Sequence, residues 1–306
     1  MPATVAPRTS LLPVLALTFN ALVWGLSWWP LRRFELVGLH PLWTTLFVYL
    51  LAVVVIVFAR PHAVIQVLRT PALWVLVLAA GTTNAAFNWG VVIGDVVRVV
   101  LLFYLMPLWA VLLARVLLRE PLTRIAAARV ALALAGAAIV LWPPGLNVGP
   151  GGWDTLPIPR SLPDWLGVLG GFSFALNNVM LRREAQRPEE GRALAMFFGG
   201  ALVAGVLAVA LAGNAQVPWP PAPAFGWLAG ALALSVIYLA GNLALQFGAS
   251  RLPANVTSVV MLTEVLFASV SALLLGGGTL SGPLLLGGGL ILAAALLSAF
   301  EPGPGH

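Results

Sequence analysis

The chain has 306 residues, of which 60% are apolar and only 8% charged, and its mean hydropathy is +0.99. A soluble domain carries about 25% charged residues, so most of this surface must face something other than water. The net charge of +6 comes from sixteen arginines set in short clusters between apolar blocks, which fits membrane topology and not a nucleic-acid footprint.

An apolar block at 11–30 opens the chain, and with no strongly basic stretch before it and no small-residue cleavage site before Trp24 it reads as a retained helix. Blocks at 41–59, 72–93, 97–118 and 125–142 follow, each close to the roughly 20 residues a helix needs to cross about 30 Å of hydrocarbon. Residues 143–162 are too rich in Pro and Gly to continue a helix and read as an extracytoplasmic linker. Five more blocks lie at 163–181, 193–212, 225–247, 255–275 and 283–300. The expected fold is an all-α integral membrane protein of ten transmembrane helices. It divides into a first five-helix repeat over 1–142, the linker, a second repeat over 163–300 and a cytoplasmic tail over 301–306.

Alternating the ten spans across a membrane, with both termini in the cytoplasm, puts twelve arginines inside. Only Arg32, Arg33, Arg98 and Arg160 fall outside. Internal repetition points the same way. An offset of 158 lays Asn84 on Asn242, Asn88 on Gln246, Trp89 on Phe247 and Gly90 on Gly248. An offset of 150 lays Leu31-Arg32-Arg33 on Leu181-Arg182-Arg183. An odd number of spans per repeat inverts the second half relative to the first.

Glu264 is an acid placed inside a span, about ten residues from either end, where an unpartnered charge costs on the order of 2.5–3.5 kcal/mol on insertion scales. It is either an anchor for a cationic substrate, a proton-coupling site, or a neutral carboxylic acid that hydrogen-bonds a neighbouring helix. Asn84 with Asn88, and Asn242 with Gln246, each share a helix face at a spacing of four, and such a face must turn toward protein or a polar cavity. Asn177 and Asn178 belong with them. Interhelical hydrogen bonds made only for assembly are the alternative for all of these amides. Trp24, Trp89, Tyr104 and Tyr238 are candidates to stack on substrate. Asp95 and Arg98 flank an extracytoplasmic turn at a spacing of three, as a gate or as an ordinary helix-terminal ion pair. Pro107 should kink the fourth span and free a carbonyl toward a cavity.

Several short motifs resemble the drug/metabolite transporter superfamily and, within it, the EamA-type exporters. They are Trp24-Gly25, Tyr104-Leu105-Met106-Pro107 and Arg119-Glu120-Pro121-Leu122-Thr123, with Thr263-Glu264-Val265 and Gly277-Gly278-Thr279-Leu280-Ser281 repeating the frame in the second half. Val265 stands where the family usually has Pro, and Gly278 where it often has Glu. The resemblance implies two inverted five-helix repeats around a central cavity. It implies a secondary transporter, in the bacterial inner membrane, for an amino acid or a related metabolite, most simply an exporter. A similar Tyr-Leu-x-Pro turn marks the amino-acid-exporting branch. The partners expected are a small-molecule substrate, the lipid bilayer and a proton as coupling ion, with no cofactor, metal or nucleic acid. No Walker motif or Gly-rich phosphate loop is present, and no nucleophile lies beside a base, so ATP coupling and enzymatic chemistry find no support. A lipid-headgroup flippase or an intramembrane lipid-modifying enzyme is the alternative.

Overall fold

The computed structural model describes residues 11–119, 123–142, 158–184, 186–249, 251 and 260–297, and every regular element among them is a helix. Leu11–Leu26 (α1) and Trp28–Leu36 (α2) form one rod broken at Ser27, whose hydroxyl donates back to the Trp24 carbonyl at 2.7 Å. Such back-bonding competes with the helical ladder and bends it. The rod runs beyond the end expected at 30 and carries Arg32 and Arg33 with it. Arg32 does not stop the helix because its guanidinium is occupied: it donates to the carbonyls of Val91, Gly94 and Gly277 and lies 5.0 Å from the Trp28 ring centroid.

Pro41–Ala59 (α3) starts on His40, whose ring Nδ1 accepts from the Leu42 amide at 3.3 Å. A short amphipathic helix, His62–Arg69 (α4), leads to Pro71–Ile93 (α5). Val96–Phe103 (α6) and Met106–Leu113 (α7) make the next pass, which ends in a π turn at Ala114–Leu118. Arg124–Val140 (α8) is capped by Thr123, whose side chain accepts from the Ala126 amide at 3.0 Å. The second half holds Leu162–Arg183 (α9), Glu189–Gly213 (α10), Phe225–Ala249 (α11), Thr263–Leu275 (α12) and Gly282–Leu297 (α13).

Among the described residues six stretches are long and apolar enough to cross a bilayer: Leu11–Leu36, Pro41–Ala59, Pro71–Ile93, Val96–Leu118, Glu189–Gly213 and Phe225–Leu245. The helices α12 and α13 are apolar but shorter, at 13 and 16 residues. Large apolar side chains point outward along the bundle, among them Phe58, Leu274, Val116 and Leu286. In water that surface would aggregate, and in lipid it is solvated, so the chain is a multi-pass membrane protein.

The most intimate contacts cross between the halves. The helix α5 packs on both α9 and α10, α1 packs on α11 and α12, and α8 lies along α13. One end of the bundle gathers the turns at 37–40, 94–95 and 276–281 with the segment 214–224, where the Trp43 indole donates to the Pro218 carbonyl at 3.0 Å. At the other end Gln66 of α4 donates to Glu190 of α10 at 3.2 Å, beside the arginines at 60–69 and 182–192.

Candidate functional site

A cavity of about 360 Å³ lies within the bundle, lined by both halves. The first half gives it Asn20 and Trp24 from α1, Tyr49 from α3, Thr83, Asn84 and Phe87 from α5, and Phe103, Tyr104, Met106 and Pro107 from the α6–α7 break. The second half gives it Phe174, Asn177 and Asn178 from α9, Phe197 from α10, Asn242 from α11 and Glu264 from α12. Nine of these sixteen side chains are apolar or aromatic, and the other seven are five asparagines, Thr83 and Glu264, a mixture of apolar walls and specific polar groups that suits a ligand site.

Local sequence explains how several of them are presented. The helix breaks at Tyr104-Leu105 because Pro107, in the first turn of α7, has no N–H to bond the Phe103 carbonyl four residues back. That carbonyl is packed against Gly171 of α9 so closely that a Cβ there would collide with it. Pro107 does break the span as expected, but the freed carbonyl meets a neighbouring helix. The break turns the Tyr104 hydroxyl toward α12, where it donates to Glu264 Oε2 at 3.3 Å and to the Met261 carbonyl at 3.4 Å.

Gly25 has the corresponding role on the opposite wall. A Cβ at Gly25 would sit 2.7 Å from Phe267 Cβ and 2.8 Å from the Glu264 carbonyl, so only glycine lets α1 approach α12 at the level of the carboxylate. The neighbouring Trp24 lines the cavity and stacks on Tyr238, with ring centroids 4.8 Å apart.

The amides sort into two groups. Asn84 lines the cavity, with Oδ1 accepting from the Tyr49 hydroxyl at 2.6 Å and Nδ2 donating to the Ala80 carbonyl at 2.8 Å. Asn177, Asn178 and Asn242 also line it. Asn88, one turn beyond Asn84, is buried outside it and donates to Thr45 Oγ1 of α3 at 3.0 Å, a bond that ties two helices together. The Gln246 side chain lies outside the described residues. Among the aromatic candidates, Trp24 and Tyr104 line the cavity, whereas Tyr238 is buried behind Trp24 and Trp89 packs edge-on to His40 at 5.2 Å.

Asp95 and Arg98 lie away from the cavity, at the end of the bundle where Arg32 binds. Asp95 caps α6 by accepting from the Arg98 amide at 3.0 Å, and it also accepts from the Thr279 amide at 2.7 Å and hydroxyl at 3.3 Å. The Arg98 side chain turns instead to Asp164 of α9, with Nε–Oδ1 at 2.7 Å and Nη2–Oδ2 at 3.1 Å, and also reaches the Val140 carbonyl. The Val96 amide donates to the Gly277 carbonyl at 3.0 Å. Turns from both halves are thus bonded to each other over this end.

Residues that sequence reasoning did not select include Asn20, Tyr49, Phe87, Phe103 and Phe174. Asn20 was open to the argument used for Glu264, since an amide inside the apolar block 11–30 also needs a partner.

Residues 11–142 match the EamA-like transporter family. No curated protein matches the chain at a significant level. Thirteen chains of solved structures match it. One of these, a protein crystal structure, superposes with a TM-score of 0.56 over 94% of this chain and 96% of its own, at 18% sequence identity. At that identity the likeness concerns fold alone.

Proposed function

With residues 11–142 an EamA-like transporter sequence, we propose that this chain is a secondary transporter. It moves a small organic solute across a bacterial cytoplasmic membrane by alternating access, most simply as an exporter. The ten helical passes form two inverted sets of five, with both termini in the cytoplasm.

The observation that carries this reading is the cavity itself. It is shared by the two halves and holds a carboxylate, Glu264, in surroundings that are otherwise neutral. Packing supports the inverted repeat. Exchanging each pass with its counterpart five passes on turns the α5–α9 contact into α11–α1, the α6–α9 contact into α12–α1, and the α5–α10 contact into α11–α3. The α8–α13, α3–α10 and α6–α12 contacts map onto themselves. A bundle whose contacts survive that exchange can rock between two mirrored arrangements.

The cavity residues of α9, α10 and α11 lie on the middle and arginine-rich side of their helices, and the opposite end is held by Arg32, Asp95 and Arg98. With arginine-rich connections inside, this is the inward-facing arrangement. Glu264 exchanges a proton as the cavity changes sides.

The chain has no cysteine, so a cysteine placed at Thr83 is a clean reporter. In proteoliposomes of defined orientation it should react with a membrane-impermeant thiol reagent from either side, with substrate altering the balance. Reaction from one side only, whatever solute is present, would overturn the transporter reading. Glu264→Gln should abolish the pH dependence of flux, and unchanged pH dependence would remove the proton role.

A further inference from the structure

The short helix α4 carries more apolar surface than the bundle covers. At 3.6 residues per turn Ala63 and Val67 share one face, and they are the two side chains it buries. They join Leu73 and Val77 of α5 and Leu194 of α10 in one apolar cluster. Going round the axis, Val64, Leu68 and Ile65 follow on one flank, and Arg69, His62 and Gln66 fill the other. Gln66 donates to Glu190 of α10 at 3.2 Å, so the polar flank turns toward the arginine-rich end of the second half. The apolar flank meets no such neighbour: Leu68 is 64% and Ile65 49% exposed.

A helix lying between protein and water needs one apolar face, so a second apolar flank calls for a second apolar neighbour. On α3 the exposed side chains Val54, Val55 and Phe58 form an apolar strip that leads into the turn at 60–61 just before α4. The same lipid that solvates this strip is at hand for Leu68 and Ile65. Arg60 and Arg69 stand at the two ends of α4, both exposed, and among the described residues neither enters an ion pair. Arg183 and Arg187 differ, since both pair with Glu184.

We propose that α4 lies in the membrane–water interface and binds anionic phospholipid of the cytoplasmic leaflet, with Leu68 and Ile65 in the acyl layer and Arg60 and Arg69 on headgroup phosphates. From the transporter reading it takes only the topology, in which the α3–α5 connection is cytoplasmic. Arginine suits the place, because its apolar stem lies along the acyl boundary while the guanidinium meets phosphate. Each such arginine near an anionic surface adds about fivefold to binding.

The test uses the full chain in nanodiscs of phosphatidylcholine with and without phosphatidylglycerol, and native mass spectrometry to follow bound phosphatidylglycerol. The parent should bind phosphatidylglycerol in preference to phosphatidylcholine and melt at a higher temperature in its presence. Arg60→Gln with Arg69→Gln should weaken that binding on the order of 25-fold, leaving the melting temperature in pure phosphatidylcholine unchanged. Arg183→Gln with Arg187→Gln should weaken it far less. Equal losses from the two pairs, no loss from the first, or displacement of the lipid by soluble glycerol phosphate overturns the proposal. Spin labels give a reading that leaves both arginines in place: one at Leu68→Cys should be reached by oxygen and shielded from a water-soluble nickel chelate, and one at His62→Cys the reverse. Equal exposure of the two would also overturn it. Both leaflets of a nanodisc are alike, so none of these outcomes depends on orientation, whereas thiol labelling of His62→Cys from one side of oriented proteoliposomes tests the topology alone.

Discussion

The Tyr104 hydroxyl donates to the Glu264 carboxylate over 3.3 Å, joining residues 160 positions apart at the wall where the two halves of the chain meet. One partner comes from a helix broken by a proline and the other from a helix approached through a glycine. The bond thus depends on two local features, one at each partner, that bring the groups within reach.

Removing the phenol tests that bond. Tyr104→Phe keeps the ring that packs 6.0 Å from Phe103 and deletes only the donor. A hydrogen bond to a charged group is worth about 1.5–3 kcal/mol, or roughly 10- to 150-fold in a binding constant. Transport in proteoliposomes should show a KM raised within that range, with the melting temperature little changed. An unaltered KM would mean that Glu264 needs no help in holding its position.

Gly25 offers a test of close packing. Gly25→Val places branched carbon where Phe267 Cβ and the Glu264 carbonyl already lie within 3 Å of a Cβ position. Overpacking of this kind costs about 1–3 kcal/mol. The expected result is a lower melting temperature and lost transport, and Gly25→Ala should show both effects more weakly.

The Arg98–Asp164 pair is the best defined ion pair among the described residues, with Asp164 buried and two nitrogen–oxygen contacts at 2.7 and 3.1 Å. Breaking a buried pair from one side strands the other charge and costs about 3–5 kcal/mol. Asp164→Ala should therefore be strongly destabilising. The double substitution Arg98→Met with Asp164→Leu should recover much of the loss, measured by thermal unfolding in detergent.

How much of this was legible in the sequence depends on the range of the interaction. Glu264 could be read from its own position, because an acid in an apolar run must find a partner wherever the chain folds. Asn84 and Asn242 could be read from the repeat, since both line the cavity. Arg98 could not be paired correctly from spacing. Asp95 stands three residues away, yet it caps the helix, and the guanidinium crosses to Asp164, 66 residues on. Asn88 and Trp89 show a different limit. Periodicity puts Asn88 on the Asn84 face, but one turn further along, that face already rests on Thr45 of α3. Asn20 went unread because its counterpart at an offset of 150 is Gly170, so the repeat gave no polar match to single it out.

His40, between α2 and α3, gives a pH-dependent test. Burial pushes its pKa down from 6.5 to about 4, and its ring Nδ1 must remain unprotonated to accept from the Leu42 amide. Above pH 6.5 both folded and unfolded chains carry it neutral. As pH falls from 6.5 toward 4 the unfolded chain takes up the proton while the folded one does not, so stability declines across that window and the loss levels off below it. His40→Asn keeps an N-cap acceptor without a titrating group. The melting temperature of the parent should fall more steeply than that of the variant between pH 6.5 and 4, and parallel curves would exclude the effect.

The carboxylate of Asp95 grips the start of α6 and the turn after α12 at the same time. Any displacement of one segment from the other must release an amide and a hydroxyl together, so the two loosen in step. A single side chain thereby ties that end of the bundle together, so the two segments part in one event or not at all.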